Sequence, residues 1–363
     1  MRGRAGPGVC VALTLRAGPG AWVALTLLAG VALVSCVAPG VPDAELAAAP
    51  IAIHYRTETE ARERAEALAE APPPPGLGGP QVAGHHLGLR ADVDALGRFF
   101  SEAFGARPAG WREGRLALLD PRLRTLRFVE GARRGAVPLA WSADRQRLLF
   151  SQPDPAGGDL QVYEWRRDAG GIRPVTRGPG LHPQACYAAA GRIAVVRVEA
   201  GGETPLSRIW ISGPAGRRPF APLAEGPADH SPACAPDGNA VAFARERPDG
   251  RSELWLAPLD AGPPRRLAPG AQPRFTEDGA WIVYAARRGG GSRLYRVRPD
   301  GRGRALLGRG ARAESWPAPS PDGAHVVYVA AEEPPRRHLY VRRFDGSGDR
   351  ILFADGDAEF PVW

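Results

Sequence analysis

Lysine is missing from this 363-residue chain, and all 47 basic residues are arginine. The plain reading is base-composition bias in a GC-rich genome, and no function follows from it. Long apolar runs are missing too. The most apolar stretch, Ala21 to Val34, falls short of the about 20 residues a helix needs to cross a bilayer core. Cysteine occurs four times, never as Cys-x-x-Cys, which removes the usual zinc spacings. Gly-x-Ser-x-Gly is absent, which leaves a serine-hydrolase elbow unsupported. No Walker or dinucleotide glycine pattern follows a strand and opens a helix. The Asp-Gly pairs lack the alternating oxygen ligands of a calcium loop, and tight turns explain them. No cofactor is implied.

What the chain has in abundance is turn chemistry, with 46 glycines and 38 prolines. One unit is plainest between Ser315 and Phe353. A Pro-Asp-Gly turn (Pro321, Asp322, Gly323) precedes an apolar run from His325 to Val329. A second run, His338 to Arg342, is followed by Asp345 and Gly346 and a third run, Ile351 to Phe353. Asp-Gly supplies the positive φ of a tight hairpin, and short β-branched or aromatic runs bounded by turn residues are strands. The same pattern recurs at Gly238 and Gly279, spacings of 41 and 44 residues. Weaker copies begin near Ala136 and Gly180. The third strand carries an aromatic residue in all five copies: Tyr163, Trp210, Trp255, Tyr295 and Tyr340. A four-stranded sheet with two apolar faces cannot hide them alone, so a β-rich period of this length predicts a propeller.

The repeat resembles a known family. Ser320-Pro-Asp-Gly323, Pro236-Asp-Gly238 and Val137-Pro-Leu-Ala-Trp-Ser142 are similar to the TolB-type (WD-like) repeat, Pro-x-Trp-Ser-Pro-Asp-Gly followed by an apolar strand. The resemblance covers about residues 113–363. It implies an all-β propeller; the period count makes it a six-bladed propeller of four-stranded antiparallel blades, with a small helical N-terminal extension before it. Propellers host many activities, so the fold alone leaves function open. Glu359 to Trp363 repeats only a first strand, and Arg115 to Phe128 only the last two. These ends are expected to share one blade, its second strand lying within 97–112, because an unclosed ring exposes sheet edges.

Residues 1–36 read as an export signal. Arg2, Arg4 and Arg16 precede the apolar run, and Leu33-Val-Ser-Cys36 resembles the bacterial lipobox, in which the cysteine is lipidated and becomes the new N-terminus. By that resemblance Cys36 is the attachment point. Val37 is not the aspartate that retains enteric lipoproteins at the inner membrane, which points to the periplasmic side of the outer membrane. Residues 37–112 read as a tether with a short helical region. A strand is expected at Ile51 to Tyr55, and a helix over Ala61 to Ala71 behind a capping box, Thr57 with Glu60. A second helix is expected over Asp92 to Phe104. Removing residues 1–36 changes the net charge from +8 to 8 − 3 = +5. That is modest for this length, and the arginines are spread through the repeats, so no nucleic-acid partner is expected.

Two groups of residues remain. Cys186 and Cys234 occupy the column filled elsewhere by Trp141, Phe275 and Trp363. The favoured reading is a pair of small core residues where neighbouring blades meet, a disulfide being allowed in an oxidising compartment. His182, Asp229, His230, Gln272, Glu314 and Glu359 lie where each first strand begins. First strands line the central channel, so these side chains are expected to crowd one mouth and to bind a peptide, a partner loop or an ion. Two histidines with two carboxylates would suit a metal, but no local spacing enforces it. The resulting expectation is a lipid-anchored, monomeric envelope propeller that scaffolds protein–protein contacts. The alternative is an exported propeller enzyme, a polysaccharide lyase or hydrolase, working at the channel mouth.

Overall fold

The computed structural model describes residues 40–63, 114–155, 160–178, 180–199, 206–212, 221–223, 228–247, 251–259, 262–288, 291–308, 312–330 and 337–363. These form six four-stranded antiparallel sheets around one axis. In chain order the strands begin with β1 (Ile51–Arg56), β2 (Arg115–Leu119) and β3 (Leu126–Phe128). Blade 1 is β4 (Val137–Trp141), β5 (Arg147–Pro153), β6 (Leu160–Arg166) and β7 (Ile172–Pro174). Blade 2 is β8 (Ala185–Tyr187), β9 (Ile193–Glu199), β10 (Leu206–Ile211) and β11 (Ala221–Pro222). Blade 3 is β12 (Asp229–Cys234), β13 (Ala240–Glu246), β14 (Ser252–Pro258) and β15 (Arg265–Pro269). Blade 4 is β16 (Ala271–Phe275), β17 (Ile282–Arg288), β18 (Gly291–Val297) and β19 (Ala305–Leu306). Blade 5 is β20 (Glu314–Pro319), β21 (His325–Ala330), β22 (His338–Arg343) and β23 (Arg350–Phe353), and β24 (Asp357–Val362) follows.

Blade 6 closes the ring from both ends of the chain, in the order β24-β1-β2-β3. The shared blade is as expected, but its second strand is not supplied from 97–112, a segment outside the described residues. It is β1, which pairs His54 with Glu359 on one side and Ile53 with Ala117 on the other. The segment read as tether therefore contributes a strand to the propeller. Behind β1, residues 58–63 are helical. The capping box is reciprocal: Thr57 N donates to Glu60 Oε2 at 2.9 Å, and Glu60 N donates to Thr57 Oγ1 at 3.3 Å. The expected helix beyond residue 63, and the one over 92–104, lie outside the described residues.

The core is not one mass. It divides into six apolar wedges, one between each pair of neighbouring blades. Alternation along β1 feeds two of them: Ile51 and Ile53 face blade 5 beside Val327 and Leu339, while Ala52 faces blade 1 beside Leu148 and Phe150. Tyr284 and Tyr295 stack with centroids 5.9 Å apart, and Tyr328 and Tyr340 at 5.6 Å. Arginines lie over four of the five aromatics of the third-strand column, Arg245 over Trp255 and Arg304 over Tyr295 each at 4.7 Å.

Cys186 and Cys234 form a disulfide, with Cα atoms 5.6 Å apart, joining the first strands of blades 2 and 3. The favoured reading of two unbonded core residues is thereby corrected. Equivalent positions of adjacent first strands come close enough here for the bond to form.

Two stability predictions follow from closure and crosslink. Ile53→Ala removes buried volume from the blade 5–blade 6 wedge and lowers the urea-unfolding free energy by about 2–5 kcal/mol. Leu123→Ala, at a residue 72% exposed, leaves it near wild type. Replacing Cys186 and Cys234 together by serine releases a loop whose ends are 48 residues apart and costs about 2–4 kcal/mol in the same measurement.

Candidate functional site

The six residues expected at one channel mouth fall into three different positions. Five of the six first strands carry a proline, and in blade 2 Pro183 stands just before β8; the residue before the proline lies in the left-handed region in four blades: Ser231 (φ 53°), Gln272 (57°), Trp316 (52°) and Phe360 (53°). The strand ladder shifts register at the same place in blades 3, 4, 5 and 6. This is a recurring bulge, and it re-aims the side chains on either side of it. Counting back from each proline, His182 and Gln272 are at the first position, His230 and Glu359 at the second, and Asp229 and Glu314 at the third.

All six are at most 9% exposed. The carboxylates meet arginines. Asp229 takes both Nε (2.6 Å) and Nη2 (2.8 Å) of Arg245 in a bidentate pair. Glu359 Oε2 accepts from Arg56 at 2.6 Å, Asp357 accepts from the same Arg56 nitrogen at 3.0 Å, and Arg337 pairs with Glu359 as well. Glu314 pairs with the fully buried Arg342 and accepts from the backbone N of Leu294 in the preceding blade at 3.0 Å. Gln272 Oε1 accepts from the Trp316 backbone N of the next blade at 2.7 Å, and Gln184 does the same for Ser231 at 2.7 Å. His230 Nδ1 lies 3.0 Å from Ser231 Oγ. Among the described residues no three His, Cys, Asp or Glu side chains are grouped as a metal would require. At this end of the first strands, acid–arginine pairs brace the strands of one blade, while Arg337–Glu359 and the bonds to backbone N run from blade to blade.

The other end is different. A cavity of about 710 Å³ opens where the first strands finish and turn into the second. Such a volume lies in the range of small-ligand pockets. Its walls include Trp141, Phe275, Trp363 and the Cys186–Cys234 bridge. None of the six expected residues lines it. Its charged lining is Arg145, Arg147, Glu164, Arg173, Arg274 and Glu277. Glu164 is 1% exposed and accepts from the Tyr187 hydroxyl at 3.0 Å and from Arg173 Nε at 2.8 Å. Burial first, then the Glu164 charge, push the Tyr187 phenol well above its ordinary value. Arg145 Nη2 donates to Glu277 Oε2 at 3.0 Å. Blades 1 and 4 are opposite each other in a ring of six, so this pair spans the mouth.

Sequence reasoning missed these residues because it read both turns as turns only. One signal was present: Arg145 stands where the other clear turns of the repeat have Gly238, Gly279 and Gly323.

No family model matches the chain. An uncharacterized protein of Agrobacterium fabrum is 31% identical over 143 residues, covering 35% of this chain and 48% of that protein. The chain thus matches about half the length of that curated relative. Among solved structures, TolB from Acinetobacter baumannii superimposes with a TM-score of 0.59 at 18% identity, over 76% of this chain and 72% of that one. Hydrazine synthase of Kuenenia stuttgartiensis superimposes with a TM-score of 0.57 at 16% identity, over 68% of this chain and 43% of that one. At these identities the likeness concerns the fold: a six-bladed propeller of the kind seen in TolB, a fold that an enzyme also uses.

His230 gives the ring a pH signature. Burial pushes its imidazole down to about 4, and burial also lowers His325. The unfolded chain takes up these protons as pH falls through about 6.5, while folded His230 resists until about 4. Its contribution is therefore complete above about pH 6.5 and is lost towards pH 4. By that linkage His230 alone costs about 2 kcal/mol between pH 7.5 and pH 5. Urea unfolding of wild type and His230→Asn at the two pH values checks it: the variant shows the smaller loss.

Proposed function

We propose that this protein is an exported envelope propeller that docks a partner protein on the face where the cavity opens, held at the membrane by lipid on Cys36. The observation that carries the reading is the asymmetry of the channel. One end of the first strands is filled by buried acid–arginine pairs, and the other opens into a cavity with mixed aromatic and charged walls. A rigid ring with one accessible end offers turns as a contact surface. The disulfide supports an oxidising compartment, since such bonds persist outside the cytosol. The Leu33-Val-Ser-Cys36 pattern, outside the described residues, supports the anchor, and Val37 after it supports the outer-membrane side. In this reading His182, Asp229, His230, Gln272, Glu314 and Glu359 serve the partner indirectly, by holding the first strands in register.

Two variants test it. Cys36→Ala abolishes incorporation of radiolabelled palmitate and moves the protein from the outer-membrane fraction to the soluble periplasmic one. Ala143→Trp places a ring at an exposed cavity-lining position. It removes the species crosslinked to wild type in intact cells while leaving the thermal midpoint unchanged. A crosslinking pattern identical to wild type sinks the docking face, and unchanged fractionation of the cysteine variant sinks the anchor.

A further inference from the structure

Arg145 is at odds with its own repeat. The turn from first to second strand is built alike in four blades. A backbone N donates three residues back: Arg145 to Ser142 at 2.8 Å, Gly238 to Ala235 at 2.7 Å, Gly279 to Thr276 at 2.8 Å and Gly323 to Ser320 at 2.9 Å. The donating residue is left-handed each time, with φ 57° at Arg145 and 68–70° at the three glycines. Glycine takes this conformation without penalty, whereas a side chain with a Cβ is strained there. Among these turns a left-handed residue other than glycine is kept at Arg145 and, in the differently built turn of blade 2, at Ala190; of the two only Arg145 has a side chain that reaches across the cavity, which points to what that side chain does.

The Arg145 side chain reaches over the cavity to Glu277 of the opposite blade at 3.0 Å. Glu277 is 45% exposed and Arg145 19%. An ion pair this open contributes only about 0–1 kcal/mol, too little to be the reason for the strain. Arg145 Nη1 is also buried without a hydrogen-bond partner among the described residues, so its donors are unmet in the free protein. Four arginines against two carboxylates line the cavity, which leaves it net positive.

We propose that the cavity receives an acidic segment of the docked protein, and that Glu277 stands in for the segment's carboxylate on Arg145 in the free protein. This rests on the cavity face being the docking face. On binding, the incoming carboxylate takes Nη2 from Glu277 and engages Nη1 as well, in the bidentate geometry that arginine and carboxylate favour. Arg274 in the lining and Arg147 and Arg173 beside Glu164 favour further acidic groups. The Arg145–Glu277 pair is a strap that an acidic chain opens and a neutral one does not.

The test is fluorescence anisotropy of the purified full-length chain in detergent with a fluorescein-labelled hexaglutamate peptide, and hexaglutamine as control. Wild type binds hexaglutamate and not hexaglutamine. Glu277→Gln removes the competing carboxylate and tightens binding about two- to fivefold, the fold-change an exposed ion pair converts to. Arg145→Gly weakens binding about tenfold or more and at the same time raises the thermal midpoint, because glycine relieves the turn. Equal binding of the two peptides, no hexaglutamate binding, or unchanged affinity in Arg145→Gly overturns the proposal. If Ala143→Trp abolishes hexaglutamate binding while Glu277→Gln leaves it unchanged, the docking face stands and the strap falls. If Ala143→Trp changes nothing, the peptide binds elsewhere on the basic surface and the proposal falls with it.

Discussion

Every blade depends on ring closure. A four-stranded sheet whose two faces are both apolar has no stable surface of its own, so each face must be covered by a neighbour. Five blades are continuous in sequence and cover one another as they form. The sixth is assembled from three distant segments, and it supplies one side of two wedges. Without it, blades 5 and 1 would each present an apolar face and the ring an open sheet edge, the configuration that invites aggregation. β1 sits in the middle of this seam, paired on both sides, with residues alternating into both wedges. Trp141 of blade 1 donates its indole N–H to the Val362 carbonyl at 3.1 Å, and His54 Nδ1 lies 2.7 Å from the Ala136 carbonyl. These bonds tie the seam to the blade that follows it.

Closure also explains where the charges go. Wedge-shaped blades leave the first strands close together around the axis, and the bulge before each proline turns polar side chains into that narrow space. A carboxylate there has lost most of its water, and burial alone pushes Asp229 up. Each such acid has an arginine in reach, and the fork of Arg342 touches Glu314, Asp349, Tyr328 and the Leu307 carbonyl together. Pairs buried this deeply add little net stability, because desolvation offsets their attraction. Removing one partner, however, leaves an unmatched charge and costs several kcal/mol. Their effect is to penalise any slip of a first strand against its neighbours. Arginine suits this task and the stacking over the aromatic column better than lysine, being planar, permanently charged and weakly hydrated.

The fold was legible because its signals are local and repeated. Asp-Gly turns, β-branched runs and an aromatic third strand recur at a fixed spacing, and each copy supports the others. The closing strand was less legible, since Ile51 to Tyr55 pairs with Arg115 to Leu119, 60 to 68 residues later, and resembles no other second strand. The polar group was misjudged for a different reason. Counting from the proline treats residues one, two and three places away as equivalent, but a left-handed residue and a bulge between them send their side chains in different directions. Only the backbone angles carry that information. The disulfide was read the wrong way in sequence because spacing gives no Cα separation. Arg145 was legible in principle, as the one arginine in a column of turn glycines.

Blade 2, beside the cavity, departs from the repeat at both ends of its first strand. Its first strand, β8, is only three residues long, against five or six in the other blades, and the turn after it departs from the Asp-Gly form, with Ala190 left-handed at φ 56°. The residues missing from β8 are at its start, where the Leu181–Val198 bridge alone continues the ladder past Pro183. At the cavity end the strand is paired in full, Cys186 with Ala194 and Tyr187 with Ile193, one step beyond the column that ends β12 at Cys234 and β16 at Phe275. That extra step carries the Tyr187 hydroxyl to Glu164 in the cavity wall. The Cys186–Cys234 bond then ties blade 2 to blade 3 covalently at the cavity end of a first strand whose opposite end is only loosely paired.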